Sequence, residues 1–408
     1  MTNVQQIYDD GLCMQCGTCV ALCPAAAIGL TWDVRVGYRL TVDERLCTDC
    51  GACRKVCPGP GLDFTAGAWW RARNEGAPSR DYLGPWRALW FGWAADPDVR
   101  HAGASGGVAT ALLTGALEEG LVDAVVAVGT APANPLEAVG VVCRTTTEVA
   151  ASRGSKYNVV ALNTQLRRVL DEPGRYAVVG LPCHVQGLRL AQRRSRRLRE
   201  RVVLSLGVFC GLTNEPRTTE IFARQAGLDP AELSAVSYRG PGWPGGLRLE
   251  TRDGRVRRRD FPDYFDRYCW AHQPPRCRIC PDSLAELADV SVGDAWLDRF
   301  EGSDGVSDIV VRTPAGEAFM AELAGRLTLL AATPDDVAAS QHATYQRERE
   351  IGLGRFWLRS LAGRPLPRYP GIPGAVTLRH RLLGLKDAGQ ERLYRVLADV
   401  RYPTEGSR

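Results

Sequence analysis

Two copies of one cysteine spacing stand near the start of this 408-residue chain and use eight of its fourteen cysteines. Each copy reads C-x-x-C-x-x-C-x-x-x-C-P, the first from Cys13 to Pro24 and the second from Cys47 to Pro58. In such a run three thiolates bind one [4Fe-4S] cluster, and the fourth, before the proline, binds the other cluster. The spacing therefore predicts an electron-transfer module with two clusters. Their ligands would be Cys13, Cys16, Cys19 and Cys57 for one, and Cys47, Cys50, Cys53 and Cys23 for the other.

Other uses of these cysteines fit the spacing poorly. A zinc ribbon has two C-x-x-C pairs and no third cysteine at the same spacing. A disulfide framework is unexpected in a long chain without a secretory signal. Short apolar segments at 25–30 and 61–64 are expected to pair as the small strands of an α+β ferredoxin-like fold. Gly17 and Gly51 fall where the backbone must approach the inorganic sulfur atoms.

The length and charge of the chain limit the functions that its remaining part can have. Lys and Arg number 51 against 46 Asp and Glu, and the resulting net charge of +5 is too small to indicate a nucleic-acid partner. No run of about eighteen apolar residues occurs, and the first ten residues are polar, which predicts neither a transmembrane segment nor a signal peptide. We therefore expect a cytoplasmic protein whose cysteines bind metal rather than form disulfides.

The order of sequence patterns divides the chain into four regions. In the longest of them, apolar β-branched runs such as 123–129 and 176–180 alternate with helical patterns such as 106–120. This alternation predicts an α/β core with a mixed sheet. The predicted regions are a ferredoxin module at 1–66, a linker at 67–85, the α/β domain at 86–335 and a C-terminal helical extension at 336–408.

Two loops of the α/β domain have the composition of an anion-binding site. Ser105, Gly106 and Gly107 lead directly into a predicted helix that contains Thr110, so free amide groups and the positive end of the helix dipole would face a phosphate. A Ser-Gly-Gly turn is also a common helix cap. The second loop, at 153–157, puts a lysine beside a serine and a tyrosine, and its alternative interpretation is a surface turn.

Four of the remaining cysteines are expected to converge. Cys183 and Cys210 end two predicted strands, and the carboxyl ends of neighbouring strands meet at the ligand edge of an open α/β sheet. Cys277 and Cys280 form a C-x-x-C pair in a loop flanked by prolines. Together they predict a third site with four thiolates. It suits a further [4Fe-4S] cluster or zinc, because four cysteines do not specify the metal.

Six segments of this region resemble, in the same order, the beta-subunit family of coenzyme F420-reducing hydrogenase and formate dehydrogenase. They are ASGGVATALL at 104–113, GSKY at 154–157, GLPCHVQGLR at 180–189, GVFC at 207–210, YRGPGWPG at 238–245, and RCRICPD at 276–282 with its continuation to Trp296. The resemblance covers about residues 86–335 and implies a flavin-binding core that holds FAD, with an iron–sulfur cluster beside it. The FAD contacts that it implies are Ser105, Gly106, Gly107, Thr110, Ser155, Lys156 and Tyr157, and the cluster ligands are Cys183, Cys210, Cys277 and Cys280.

These cofactors imply the type of chemistry. Clusters carry one electron at a time, whereas a deazaflavin or an organic double bond takes a hydride, so a flavin has to convert between them. We expect a flavin-dependent iron–sulfur oxidoreductase that exchanges electrons with a small carrier such as ferredoxin, and hydride with coenzyme F420 or an organic substrate. The alternative is a noncatalytic relay subunit that serves the catalytic subunit of a hydrogenase or dehydrogenase.

Three residues are the candidates for the substrate face of the flavin: Arg239 as an anion clamp, Trp243 as an aromatic lid, and Asp294. Their alternative interpretation is a rigid loop in which the tryptophan packs into the core and the arginine pairs with an acid.

Further features have no assigned role. The arginine-rich segment 193–201 is either a solvated face or a docking surface for an acidic partner. The last helix, predicted at 377–400, either caps the domain or attaches to a membrane surface. Cys143 is expected in the core, and Cys269 is left unassigned.

Overall fold

The computed structural model describes residues 3–64, 77–80, 82–370 and 376–403. In chain order the strands are β1 (Ile28–Asp33), β2 (Gly37–Val42), β3 (Ser79–Arg80), β4 (Gly84–Pro85), β5 (Ala88–Ala94), β6 (Ala124–Ala131), β7 (Asn134–Cys143), β8 (Tyr176–Gly180), β9 (Val202–Val208), β10 (Leu233–Ser237), β11 (Gly246–Thr251), β12 (Val256–Asp260), β13 (Val290–Asp294), β14 (Ser307–Val311) and β15 (Leu327–Ala331).

The α-helices of the described residues are α1 (Gln5–Asp9), α2 (Thr18–Ala21), α3 (Ala52–Lys55), α4 (Pro97–Ala102), α5 (Val108–Glu118), α6 (Thr146–Ser152), α7 (Leu166–Asp171), α8 (Pro182–Arg194), α9 (Arg196–Arg201), α10 (Arg217–Gln225), α11 (Arg267–Ala271), α12 (Pro314–Glu322), α13 (Pro334–Ser340), α14 (His342–Tyr345), α15 (Gly352–Leu361) and α16 (Leu378–Arg401). Short 3-10 helices lie at Leu162–Gln165, Pro230–Glu232, Cys277–Ile279, Asp298–Phe300 and Ala324–Arg326, and a π-helix at Gln346–Ile351.

Eight strands form one mixed sheet in the order β15-β5-β14-β13-β9-β8-β6-β7. The neighbours β13, β9, β8 and β6 run parallel, and the outer pairs run antiparallel. The predicted α/β core with a mixed sheet is thus confirmed. Because parallel strands end at the same edge, the loops after β8, β9 and β13 lie side by side.

Both faces of this sheet are buried. Val125 and Val126 are adjacent in β6 and point to opposite faces, as strand geometry requires. Val125 packs with Leu112 of α5 in one apolar cluster, and Val126 packs with Leu188 of α8 in another. The sheet is therefore the rigid centre that fixes the loops at its carboxyl edge.

The N-terminal module contains one hairpin, in which β1 pairs with β2 and Ile28 lies opposite Val42. The expected pairing of 25–30 with 61–64 is wrong, since residues 61–64 form no strand. The chain there packs on the C-terminal region instead: the Arg368 N–H donates to the Pro60 carbonyl.

The module packs closely against the α/β domain through α2. A Cβ atom on Gly187 of α8 would lie 2.2 Å from the Thr18 Oγ1 atom. A Cβ atom on Gly17 would lie 2.8 Å from the Ala161 carbonyl oxygen. Neither position has room for a side chain, so the two parts of the chain meet along a tight interface.

The regions outside the large sheet are smaller. β10, β11 and β12 form an antiparallel sheet, and β3 pairs with β4 within the predicted linker. Residues 67–76 and 81 of that linker, and residues 65 and 66 before it, lie outside the described residues. Across the part of the chain that the structure describes, no helix has both the length and the apolar character needed to cross a bilayer.

Candidate functional site

Four cysteines from both N-terminal runs line one pocket, and we call them the outer set: Cys23, Cys47, Cys50 and Cys53. The first comes from one run and the other three from the second, which is the exchange that the spacing predicts. Cys50 is exposed. Hydrogen bonding from the Ala52 amide and the Thr48 side chain lowers the pKa of its thiol, which favours the thiolate form that binds metal.

The complementary four cysteines, Cys13, Cys16, Cys19 and Cys57, are also mutual neighbours, and we call them the inner set. Burial raises the pKa of the Cys19 thiol well above its usual value, and the charges of the other three add to that rise. Burial raises the pKa of Cys57 in the same way, with contributions from Cys13 and Cys16. A buried group of thiols of this kind loses its protons when a cationic group binds.

A third group, the core set, lines a partly open pocket at the carboxyl edge of the sheet; its members are Cys183, Cys210, Cys277 and Cys280. Cys210 lies two residues beyond the end of β9, close to the strand end that the sequence predicted. The prediction that Cys183 ends β8 is wrong, because Pro182 starts α8 and puts Cys183 in the first turn of that helix. In the described residues, no three Cys, His, Asp or Glu side chains approach closely enough to hold a single metal ion. The four thiols surround a space instead.

Charged side chains that the sequence did not single out complete the wall of this cavity. The Arg347 guanidinium donates to the Cys210 carbonyl at 3.3 Å and to Ser283 Oγ at 3.1 Å. Asp282 accepts from the Gln186 side chain at 2.9 Å, and burial raises the pKa of its carboxyl. Arg347 comes from the region after 336, for which the sequence offered no signal.

Arg276, next to the C-x-x-C pair, is fully buried. Its guanidinium donates to the Gly59 carbonyl at 3.1 Å, to the Ile279 carbonyl at 3.0 Å and to the Tyr369 hydroxyl. One side chain thus joins the N-terminal module, the core set and the C-terminal region. Burial raises the pKa values of three thiols from two sets, and the Arg276 charge opposes the rise at each: Cys57, Cys277 and Cys280.

A buried chain of hydrogen bonds links the inner set to the core set. The Cys16 thiol lies 3.3 Å from the Thr18 hydroxyl, and the Asn163 amide donates to that hydroxyl and to the His184 carbonyl, both at 2.8 Å. His184 adjoins Cys183 in α8. Burial raises the pKa of Cys183 well above its usual value, and Cys16 is the next contributor. The two sets are therefore direct neighbours.

The three candidate substrate residues meet at the end of β13. The Asp294 carboxylate accepts from Arg239 Nη2 and from Trp243 Nε1, each at 2.7 Å. Arg239 also donates to the carbonyls of Pro244 and Ala104, each at 2.6 Å. Its side chain is only 2% exposed, and all its N–H groups have acceptors in the protein. Arg239 therefore positions the loops here, and its use as an anion clamp stays a prediction.

Aromatic rings surround this ion pair. Phe261 stacks on Trp296 with ring centroids 5.0 Å apart, and Trp243 lies 5.2 Å from Trp296. The Arg239 guanidinium lies 5.2 Å from the Phe261 ring, and it also donates to the Tyr157 hydroxyl at 3.4 Å. Trp296 is 36% exposed, so part of its indole ring reaches solvent.

The two predicted anion-binding loops flank the same site. Gly106 and Gly107 have φ values of +65° and +73°, and a Cβ atom on Gly107 would lie 2.5 Å from the Val99 carbonyl oxygen. The glycines are therefore required by the fold itself, ahead of α5. Ser105 Oγ lies 3.1 Å from Ser307 Oγ, and Thr110 lies in the first turn of α5.

Lys156 is held by the backbone in the second loop. Its ammonium group donates to the carbonyls of Ser152, at 2.5 Å, and Arg153, at 2.8 Å, at the end of α6. Burial lowers its pKa to about 8. The neighbouring Ser155 is half-buried. In this arrangement the lysine caps a helix while lying beside Tyr157, so its contact with a phosphate stays a prediction.

Space remains where these loops meet. A Cβ atom on Gly154 would have only the Arg239 carbonyl near it, at 3.9 Å, and one on Gly242 only the His101 ring, at 3.6 Å. A Cβ atom on Gly240 would come no nearer than 3.5 Å to any neighbour. Three glycines with space beside them thus lie next to the Arg239–Asp294 pair, and we call this region the cradle.

Short contacts connect this cradle to the core set. The Asn214 N–H donates to the Tyr157 carbonyl at 2.6 Å, and Asn214 follows Thr213, which lines the cysteine cavity. Phe209, next to Cys210, packs on Gly293 beside Asp294. The cradle and the core set therefore lie next to each other on the carboxyl edge of the sheet.

Family models match three parts of the chain. The model "Coenzyme F420 hydrogenase/dehydrogenase, beta subunit N-term" matches residues 89–167, and the model of the same family's C terminus matches 174–336. A "4Fe-4S dicluster domain" matches residues 12–59. The chain belongs to this beta-subunit family. It carries its own N-terminal 4Fe-4S domain, and the resemblance inferred from the six segments is confirmed.

Relatives of named function agree with this membership. The beta subunit of coenzyme F420 hydrogenase from Methanothermobacter thermautotrophicus is 27% identical over 249 residues, which is 58% of this chain and 81% of that protein. The coenzyme F420-dependent sulfite reductase of Methanocaldococcus jannaschii is 28% identical over 333 residues, 77% of this chain and 46% of that protein. A chain of the F420-reducing [NiFe] hydrogenase complex from Methanosarcina barkeri shares the fold, with a TM-score of 0.54 and 21% identity over 66% of this chain and 91% of that chain.

Two cysteines and the arginine-rich segment lie outside the three cysteine sets. Cys143 is buried in the apolar core, as expected. Cys269 is buried and accepts a hydrogen bond from the Asn214 side chain at 3.0 Å. In the arginine-rich segment, Arg201 donates to the carbonyls of Val169 and Leu170 at the end of α7, which favours a structural interpretation of that segment.

Proposed function

We propose that this protein is an iron–sulfur flavoprotein that exchanges single electrons with a small carrier and hydride with coenzyme F420 or another two-electron partner. The outer, inner and core sets would each hold a [4Fe-4S] cluster. FAD would lie in the glycine-lined cradle. When bound there, it would supply the conversion between one-electron and two-electron chemistry.

The observation that carries this proposal is the continuous row of sites. The inner set adjoins the core set through Thr18 and Asn163, and the core set adjoins the cradle through Asn214 and Phe209. A row of adjacent redox sites with a flavin cradle at one end suits the transfer of electrons between a carrier and a hydride partner. A zinc ion suits the core set less well, because no three of its thiols, all among the described residues, approach closely enough to hold a single ion.

The residues present fit both kinds of cofactor. Thiolates are the preferred ligands of iron–sulfur clusters, and twelve cysteines fall into three groups of four. Amide groups at the start of α5 lack acceptors within the helix and favour an anionic group such as a pyrophosphate. The exposed Trp296 ring and the open glycine positions would accommodate a planar ring system. Asp294 and Arg239 would hold the surrounding loops in place.

The direct test is an anaerobic assay of the purified protein with reduced coenzyme F420, NADPH and reduced ferredoxin, following flavin absorbance. Bleaching by reduced F420 and by ferredoxin supports the proposal. Bleaching by neither, in a protein that copurifies with a hydrogenase or dehydrogenase catalytic subunit, would favour the relay function instead.

Arg276→Gln is expected to lower the midpoint potentials of the clusters in the inner and core sets. The variant removes a buried positive charge that acts on Cys57, Cys277 and Cys280. That charge stabilises the reduced clusters, which are more negative than the oxidised ones. Its loss should lower the midpoint potentials by on the order of tens of millivolts. Potentiometric titration followed by electron paramagnetic resonance measures the shift.

Two further variants serve as controls for Arg276. Arg276→Lys keeps the charge and should keep potentials closer to those of the wild type. Arg45→Gln removes an arginine whose side chain is 90% exposed, and it should leave both potentials unchanged. Unaltered potentials in Arg276→Gln would mean that this arginine serves packing alone.

A further inference from the structure

The last helix, α16, presents a row of large apolar side chains to solvent. It lies beyond residue 336, where the family match ends. The exposed fractions are 70% for Leu378, 59% for Leu382, 49% for Leu385, 53% for Leu393, 55% for Val396 and 74% for Val400. We call these six side chains the apolar row. A row of this length on one helix marks an interaction surface.

The opposite face of α16 is fixed to the protein. Gly354 of α15 and Gly384 of α16 are in backbone contact, and a Cβ atom on Gly354 would lie 2.1 Å from the His380 carbonyl oxygen. Asp387 binds Arg355 at 2.7 Å and Arg278 at 3.3 Å. The helix is thus held against its neighbours, and the apolar row cannot rotate into the core.

The apolar row is symmetric about Gly389. Leu385 and Leu393 lie four residues on either side of this glycine. The other pairs lie seven and eleven residues away: Leu382 with Val396, and Leu378 with Val400. A spacing of four, three and four residues keeps all of them on one face of a straight helix. At the centre, a Cβ atom on Gly389 would meet no described atom within 4 Å.

We propose that α16 pairs in an antiparallel manner with α16 of a second copy of the chain, around a two-fold axis next to Gly389. A two-fold interface uses the same surface on both partners, so it requires a surface that complements itself on reversal. The apolar row has this property: Leu385 faces Leu393 of the second copy, and Leu382 faces its Val396. The open centre at Gly389 lets the two backbones approach. The contact runs for about 33 Å.

The composition of the apolar row favours a second copy over an anionic membrane surface. Arg379 is already paired with Glu350 at 2.9 Å, and Asp399 with Arg217 at 2.6 Å. The row contains only Leu and Val, without the aromatic side chains that anchor interfacial helices. Exposed Lys386 and Arg392 flank the row, whereas the row itself offers only aliphatic contact.

The test uses one charge of each sign, introduced into the full-length holoprotein. Leu385→Glu alone, or Leu393→Lys alone, would bury an unpaired charge in the dimer interface. Each variant should therefore weaken dimerisation at least about a hundredfold. An equimolar mixture should form a heterodimer, because Glu at 385 then faces Lys at 393 of the other copy. Anaerobic analytical ultracentrifugation should give twice the 44.5 kDa chain mass for the wild type and the mixture, and the chain mass for each variant.

Several results would overturn this proposal. They are a monomeric wild type at micromolar concentration, a mixture that stays monomeric, or rescue when Leu385→Glu is mixed with Leu385→Lys, which is the pairing of a parallel dimer. Flotation of a monomer with vesicles of anionic phospholipid would assign the row to a membrane. Leu361→Glu, at a leucine 66% exposed outside α16, is the matched control and should leave the dimer intact.

Discussion

In the Cys277→Ser protein, flavin reduction by a two-electron donor is expected to proceed at the wild-type rate, whereas electron transfer from the N-terminal clusters to the flavin slows sharply. Serine is a poor ligand for iron, so the cluster of the core set should be lost, with about four fewer iron atoms per chain. Cys277 lies at the cavity between the inner set and the cradle. Stopped-flow absorbance with each donor in turn measures both half-reactions.

The matched control for this variant is Cys143→Ser, which makes the same chemical change at a buried cysteine outside all three sets. It should keep the full iron content and both rates. If Cys277→Ser also keeps both rates, then electrons reach the flavin without the core set, and the C-x-x-C pair is structural.

Asp294→Ala is expected to abolish flavin retention and to lower the melting temperature. The change leaves the Arg239 guanidinium, whose side chain is 2% exposed, without its carboxylate partner. Breaking a buried ion pair in this way destabilises a protein by roughly 3–5 kcal/mol. It also removes the acceptor for the Trp243 indole N–H. Three loops around the cradle would then lose their common anchor.

Flavin content after gel filtration and thermal unfolding in the presence and absence of added FAD measure this effect. Asp298→Ala, at an exposed acid four residues further along, should change neither quantity. The opposite outcome, full flavin occupancy in Asp294→Ala, would move the flavin site away from the cradle.

Local spacing was enough to predict the outer and inner cysteine sets. The grouping of Cys23 with Cys47, Cys50 and Cys53 follows from a motif whose residues lie close in sequence. Cys183 lies in the first turn of α8 and not in β8, but it still converges with Cys210 because the parallel strands β8 and β9 end at one edge. The mixed sheet was likewise predicted from alternating apolar runs, because these patterns reflect burial of each strand and helix.

Contacts between distant regions could not be predicted from the sequence. Arg347 and Tyr369 belong to a segment without a motif, yet they bind at the core set and at Arg276. The predicted pairing of 25–30 with 61–64 was wrong for a related reason. The Pro60 carbonyl accepts a hydrogen bond from the Arg368 N–H, which lies far along the chain. Such contacts depend on how whole elements pack, which spacing does not encode.

The measurement that tests the central claim most directly is the iron, acid-labile sulfide, zinc and flavin content of protein purified without oxygen. Three clusters beside one flavin predict about twelve iron atoms, about twelve sulfides and about one FAD per chain. About eight iron atoms with one zinc ion, or the absence of bound FAD from a protein with all its iron, would contradict the account.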